Sequence, residues 1–172
     1  MELSRRQMMS LVAASAVTAG MAGKVVAAEN KTVVTVDLWD DTGALMDAFD
    51  PDMPILMATA GAAFKDSAPM GVTPDQYLVP AGEVEFQVTN SSKDLEHEMI
   101  VVPIADPDIP LPYNPNTGRF DEDAAGAIGE VPETEPGASG SLVLHLDPGV
   151  YMLACNIATH YAMGMWTLIR VA

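Results

Sequence analysis

The segment 151–171, YMLACNIATHYAMGMWTLIRV, carries three kinds of side chain that bind soft metal ions. Cys155, the only cysteine in the chain, is followed by His160 and then by Met163 and Met165. A thiolate, an imidazole and a thioether suit copper, and one Cys with two His and a weak axial Met is the ligand set of copper sites that transfer electrons. The segment therefore predicts a copper site that still lacks one histidine.

The missing histidine has two candidates, His97 and His145. In the strand-like run LEHEMIVV, His97 shares a face with the apolar residues Met99 and Val101. In SLVLHL the leucines alternate with His145, which directs His145 away from the core and makes it a poor ligand candidate. A lone histidine on an apolar face is more often a hydrogen-bonded core residue than a ligand. The position of His97 relative to the C-terminal segment favours the ligand role.

Two stretches of the chain resemble the cupredoxins, the family of type 1 (blue) copper proteins. The spacing C-x4-H-x4-M from Cys155 to Met165, flanked by PGVYMLAC and GMWTLIRV, resembles their copper-binding signature. The similarity is greatest to the rusticyanin and sulfocyanin type and to small bacterial cupredoxin-like copper-binding proteins. The run 80–102, PAGEVEFQVTNSSKDLEHEMIVV, resembles the part that carries the first histidine. Over about 45 residues, the resemblance implies one mononuclear type 1 copper ion with the ligands His97, Cys155, His160 and Met165.

The chain departs from the family pattern in two respects, and one ligand has a competitor. The family commonly has Pro-Gly before the loop histidine, where this chain has Ala158 and Thr159. Glu98 follows His97 where some relatives carry a hydroxyl or an amide, although strand alternation directs its carboxylate away from the sulfur. Met163 competes with Met165 for the axial position, and the x4 spacing favours Met165, with Met163 packing beside the site.

The predicted fold is all-β: a cupredoxin-like Greek-key sandwich of about seven or eight strands. Val84, Phe86 and Val88 alternate with polar residues, as expected of a strand with one buried face. Two segments interrupt the strand pattern. We expect a short helical or irregular excursion near 42–69, and a long proline-rich loop near 103–130. The composition of that loop favours a variable insertion over a segment that borders the metal site or docks a partner.

The N-terminus predicts export. Arg5 and Arg6 precede an apolar run over 8–22, and Val26-Ala27-Ala28 provides a cleavage site of small residues. We therefore expect a signal peptide over 1–28, of the twin-arginine type, with a Sec signal or an uncleaved anchor as alternatives. Residues 29–172 would then form a single periplasmic domain with no membrane span.

The charge of the chain limits its partners. The formal net charge is −16 at pH 7, and residues 29–172 keep 23 of the 24 acidic residues but five of the eight basic ones. Such a polyanion repels phosphate backbones, which excludes nucleic acid. An acidic face would attract a lysine-rimmed redox partner such as a c-type cytochrome or a copper enzyme. The alternative is that the charge serves solubility alone.

The ligand inventory limits the function. With three histidines in all, the chain lacks the ligands for a trinuclear oxidase centre or an additional nitrite-reducing copper, and with one cysteine it lacks a dinuclear copper bridge. We expect a monomeric carrier of single electrons that is not an enzyme. The alternative is a periplasmic copper-binding or delivery protein without a role in electron transfer.

Overall fold

A computed structural model describes residues 31–41 and 68–172 of the chain. The predicted signal peptide, 1–28, and nearly all of the predicted excursion at 42–69 lie outside the described residues. Among the described residues, no helix is both long and apolar enough to cross a bilayer.

The described residues form two facing sheets and one small hairpin. The first sheet has the strand order β2-β1-β4-β9, and the second has the order β3-β11-β10-β5-β8. The strands are β1 (Thr32–Asp40), β2 (Met70–Pro74), β3 (Leu78–Val79), β4 (Gly82–Asn90), β5 (His97–Ile104), β6 (Tyr113–Asn114), β7 (Arg119–Phe120), β8 (Gly129–Thr134), β9 (Ser139–Leu146), β10 (Gly149–Ala154) and β11 (Trp166–Val171).

The strand pairing is mixed. Within the two sheets, β1 with β4 and β3 with β11 are parallel pairs, and the other pairs are antiparallel. The chain changes sheet between β2 and β3, between β3 and β4, between β4 and β5, between β8 and β9, and between β9 and β10. Eight of the described strands have five or more residues. The prediction of an all-β sandwich of seven or eight strands is confirmed.

The main core lies between the two sheets and follows the alternation expected of half-buried strands. Val84, Phe86 and Val88 of β4 are fully buried, as predicted, and they pack with alternate residues of β1 and β5. Each such side chain contributes about 1.5–3 kcal/mol when it is removed from water. Leu146 of β9 is also fully buried while His145 is exposed, as the sequence predicted.

A second core covers the outer face of the second sheet. Ile100 and Val102 of β5 and Met152 of β10 pack there against Phe120 and Tyr161. The central strands β5 and β10 are therefore buried on both faces. This explains why their sequences are nearly continuous apolar runs instead of alternating ones.

The segment that supplies this cover is the proline-rich connection, residues 105–128 between β5 and β8. The predicted loop near 103–130 is confirmed, and it contains the hairpin β6–β7 and one helical turn, α1 (Glu122–Ala125). Asp121 caps α1 by accepting a hydrogen bond from the backbone N–H of Ala124. Pro103 falls inside β5, but it lies beyond the residues that pair with β8, so its missing N–H removes no bond to that strand.

Candidate metal centre

The predicted copper ligands His97, Cys155 and His160 converge at one end of the sandwich. One ligand atom from each of the three lies within 4.8 Å of those of the other two. The Nδ1 atoms of the two imidazoles are 3.3 Å apart, and Nδ1 of His160 is 3.4 Å from Sγ of Cys155. Two residues that are far apart in sequence, His97 and Cys155, are therefore brought to the same point.

The placement of Cys155 follows from the end of β10. Tyr151 and Leu153 of that strand point into the main core, and Cys155, the next residue in the same alternation, is fully buried there. The backbone N–H of Cys155 donates to the carbonyl of Met165 across the base of the loop, at 3.0 Å. This bond closes the segment 156–164, which we call the ligand loop.

The ligand loop is a series of tight turns. The backbone N–H of His160 donates to the carbonyl of Ile157, and that of Met165 donates to the carbonyl of His160. Thr159 adopts a positive φ of 75°, which is uncommon for a residue with a Cβ. These turns hold the imidazole of His160 over the thiol, where only 8% of the residue remains exposed.

Both methionines lie beside the three converging residues. Met165 is fully buried, Met163 is 9% exposed, and both belong to the same core cluster as Cys155. The backbone N–H and carbonyl of Met165 bond to His160 and Cys155 respectively, which ties Met165 to both. A thioether is thus available at the site, and the choice of Met165 over Met163 as axial ligand stays a prediction.

Asp40 is a residue of the site that the sequence analysis missed. Its Oδ2 lies 3.3 Å from Nε2 of His97, and the two side chains are 1% and 0% exposed. Asp40 is the last residue of β1, where Val34, Val36 and Leu38 occupy the buried face. Continuing that alternation by one step would have placed the carboxylate on the core face.

Burial controls the protonation of all three converging residues in the metal-free chain. It lowers the pKa of His97, although the hydrogen bond and charge of Asp40 oppose the shift. Burial, with the charges of His97 and Arg119, lowers the pKa of His160 to about 4, and burial raises the pKa of the Cys155 thiol to about 12. Both imidazoles are therefore neutral near pH 7, with one unprotonated nitrogen each, and the thiol must release a proton to become a ligand.

Glu98 lies on the strand face opposite His97, as predicted, but it is buried because the proline-rich connection covers that face. Its Oε1 accepts a hydrogen bond from the backbone N–H of Asn156, the residue after Cys155, at 3.1 Å. Arg119 lies 3.9 Å away and lowers the pKa of Glu98, but burial dominates and raises it to about 7. Glu98 thus joins β5 to the start of the ligand loop.

Asn156 joins the same loop to the proline-rich connection. Its side-chain amide exchanges two hydrogen bonds with the backbone of Phe120 and donates a third to Glu122. Further along, the backbone N–H of Thr159 donates to the carbonyl of Gly118. The hydroxyl oxygen of Tyr161 accepts from the backbone N–H of Leu111 at 2.8 Å.

These contacts correct one interpretation of the sequence. The proline-rich connection is not only a variable insertion, because it borders the metal centre and bonds to three residues of the ligand loop: Asn156, Thr159 and Tyr161. Its composition gave no sign of this, since the bonds are made mostly by backbone atoms.

The donor set fits copper. It offers two imidazole nitrogens and one thiol sulfur close together, with a thioether in the same buried cluster. Soft sulfur suits Cu(I), and imidazole suits Cu(II). His145, the rejected candidate, is exposed on β9 opposite Glu83 of β4 and does not belong to the cluster.

Comparison with known proteins finds similarity in solved structures only. No protein-family model matches the chain, and no curated protein matches it. Rusticyanin from Thiobacillus ferrooxidans is 18% identical, with a TM-score of 0.48, over 82% of this chain and 78% of its own. Reduced auracyanin from Roseiflexus castenholzii is 21% identical, with a TM-score of 0.42, over 58% of this chain and 87% of its own.

Auracyanin B is 17% identical, with a TM-score of 0.47, over 84% of this chain and 91% of its own. Rusticyanin is described as a copper protein.

Proposed function

We propose that this chain is a cupredoxin that binds one type 1 copper ion and carries single electrons between redox partners. The observation that supports this most is the convergence of the Nδ1 atoms of His97 and His160 with Sγ of Cys155. Those three atoms would hold the ion, with Met165 as the weak axial ligand and Met163 as the alternative. The bound ion would supply a centre that gains and loses one electron.

The protein's own contribution is to hold these side chains still and to exclude water. His97 lies on a strand that is paired on both sides, and Cys155 directly follows another. His97, Cys155 and Met165 are fully buried. A site that is fixed and dry before the electron arrives needs little rearrangement when its charge changes.

The same burial favours electron transfer over copper delivery. A delivery protein hands its metal over by exchanging ligands with an acceptor, which requires accessible donor atoms. Here His97 and Cys155 are fully buried, and His160 is 8% exposed. An electron can cross such a shell, whereas an incoming ligand would have to open it.

The compartment and the partner are part of the proposal. The twin-arginine signal at 1–28 would carry the chain to the periplasm. The excess of acidic residues would attract a basic redox protein and raise the rate of encounter, an effect that salt screens.

The test is spectroscopic. The protein lacking residues 1–28 is loaded with Cu(II), and absorption and EPR spectra are recorded beside those of Cys155→Ser and His145→Ala. We expect an intense thiolate-to-copper band at about 600 nm in the parent protein. The band should persist in His145→Ala, which alters an exposed histidine, and it should be absent in Cys155→Ser. A colourless Cu(II)-loaded parent protein would refute a type 1 site.

A second measurement separates the carrier from the delivery protein. The Cu(I)-loaded protein is mixed with a Cu(I) chelator of known affinity and, separately, with an oxidised c-type cytochrome. A carrier keeps its copper and reduces the cytochrome within the mixing time. Rapid loss of copper together with slow reduction would favour delivery.

A further inference from the structure

The carboxylate of Asp40 is placed by the register of the first sheet. β1 lies between β2 and β4, and Asp40 is opposite Met70 at its end. Because Val36 and Leu38 point into the main core, so does Asp40. The side chain is 1% exposed, and Oδ2 lies 3.3 Å from Nε2 of His97.

The two oxygens of this carboxylate differ in their surroundings. Oδ1 of Asp40 is buried, and no described residue forms a hydrogen bond with it. A buried carboxylate is costly unless a positive charge or hydrogen-bond donors compensate it. Among the described residues, the polar side chain that bonds to it is the imidazole of His97, whose other nitrogen, Nδ1, faces His160. The imidazole of His97 is therefore the compensating group that the described residues offer to Asp40.

We propose that Asp40 positions His97 as a metal ligand: its carboxylate accepts a hydrogen bond from Nε2–H, which leaves the lone pair of Nδ1 directed at His160 and Cys155. An ionised carboxylate accepts hydrogen bonds and cannot donate them, so it selects this tautomer of a neutral imidazole. Carboxylate–histidine pairs of this kind orient histidine ligands and increase their basicity.

The proposal deepens the proposed function and rests on it wherever copper is concerned. A negative charge behind His97 stabilises the more positive, oxidised form of the site. Asp40 therefore raises the affinity for Cu(II) more than that for Cu(I) and lowers the reduction potential. The tautomer itself belongs to the metal-free protein and does not depend on copper.

The opposite arrangement has a distinct signature. A protonated Asp40 would donate to Nε2, the proton of His97 would then lie on Nδ1, and this nitrogen would be unable to ligate a metal until the proton moved. The tautomer of metal-free His97 thus decides between the two arrangements.

The first experiment is an NMR measurement of the metal-free protein. Long-range ¹H–¹⁵N spectra of ¹⁵N-histidine-labelled protein are recorded at neutral pH for the parent, Asp40→Asn, Asp40→Leu and Asp37→Asn. Asp37 lies on the same strand with its side chain on the opposite face, so its substitution removes an equal charge without touching His97. Circular dichroism checks that each variant is folded. If Asp40→Leu is not folded, the tautomer of His97 in the parent protein still tests the proposal.

We expect the Nε2–H tautomer for His97 in the parent and in Asp37→Asn, and a mixture of tautomers in Asp40→Leu. Asp40→Asn retains an oxygen that accepts from Nε2, so it should keep most of the tautomer while losing the charge. An Nδ1–H tautomer in the parent, or the same tautomer population in Asp40→Leu as in Asp37→Asn, would overturn the proposal.

The second experiment uses Cu(II) and Cu(I) with competing chelators. Loss of a partner of this kind typically weakens metal binding about 10–100-fold. We expect such a loss for Cu(II) in Asp40→Asn, a smaller loss for Cu(I), a higher reduction potential, and no comparable change in Asp37→Asn. Unchanged affinity and potential in Asp40→Asn would overturn the electrostatic role.

The two proposals fail differently. If His97 responds to Asp40 but the Cu(II)-loaded parent shows no thiolate band, the positioning role stands and the type 1 site does not. If the band is present and the Asp40 variants match Asp37→Asn, the type 1 site stands and the positioning role is refuted.

Discussion

The two halves of the candidate metal centre are held in place by different parts of the molecule. The strand half consists of His97 and Asp40, which lie on β5 and β1. The loop half consists of Cys155, His160 and Met165, at and around the ligand loop. In the strand half, sheet register fixes the side chains. In the loop half, hydrogen bonds from the proline-rich connection restrain the loop, although that connection ends about 30 residues earlier in the chain.

The two imidazoles show the consequence of this difference. His97 is fully buried and has a carboxylate on its second nitrogen. His160 retains 8% exposure, and no described residue forms a hydrogen bond with its Nε2. His97 in the strand half is therefore held by a hydrogen bond at its second nitrogen. The loop half instead depends on the proline-rich connection that packs beside it.

Replacing each imidazole by glycine should give the largest effect. His97→Gly and His160→Gly should both lose the thiolate-to-copper band, because each lacks one of the two imidazoles that would hold the ion. Added free imidazole should restore it in His160→Gly, where the missing ring leaves a gap near the surface. His97→Gly should respond far less, since its gap is enclosed. Absorption titrations measure both, and equal rescue of the two variants would refute the asymmetry.

Acidification of the metal-free protein should have the next largest effect. The unfolded chain binds a proton at His160 near pH 6.5, whereas the folded chain, where burial lowers the pKa of His160, binds it only near pH 4. The free energy of unfolding should therefore fall as the pH falls through this window, by up to about 3 kcal/mol. Urea unfolding at several pH values measures the loss, and His160→Gln should reduce it.

An NMR titration compares the two rings in the same window. The charge of Asp40 opposes the lowering of the pKa of His97, while no carboxylate does so for His160. His97 should therefore become protonated at higher pH than His160. If His160 became protonated at the higher pH instead, Asp40 would not be stabilising the protonated form of His97.

Replacing either of two buried asparagines should give the next largest effect, and the two variants form a matched pair. Asn156→Ala removes the bonds between the ligand loop and Phe120, and Asn90→Ala removes bonds to Leu95 and Thr134 beside the strand half. Each should lower the free energy of unfolding by about 2–3 kcal/mol, because buried backbone groups lose their partners. Only Asn156→Ala should speed amide exchange in the ligand loop and broaden the copper EPR lines, since strand pairing still fixes His97.

Two glycines in the proline-rich connection give the smallest effect. Gly118 and Gly126 both have positive φ, so alanine at either position is strained by about 1 kcal/mol. At Gly118 the added Cβ would also lie 2.9 Å from the backbone nitrogen of Thr159, whereas at Gly126 it meets nothing within 4 Å. Gly118→Ala should therefore lower the free energy of unfolding by about 1–2 kcal/mol more than Gly126→Ala does. It should also shift the copper absorption band. Equal effects would mean that the connection does not restrain the ligand loop.

The strand half shows where sequence reasoning succeeded and where it stopped. Alternation in β5 correctly placed His97 on the core face, and alternation in β9 correctly placed His145 outside. The same rule extended along β1 would have placed Asp40 inside. Its partner could not be named, because the contact between β1 and β5 joins two different sheets 57 residues apart in the chain.

The loop half shows the same division. The sequence by itself determined that Cys155, His160 and two methionines share one hairpin connection, since their spacing is local, and it determined the alternating strands that build the sandwich. The tertiary structure decided that Glu98 is buried and that the proline-rich connection packs on the ligand loop. Those contacts are made largely by backbone atoms, whose hydrogen bonds do not depend on residue type and become defined only when distant segments pack together.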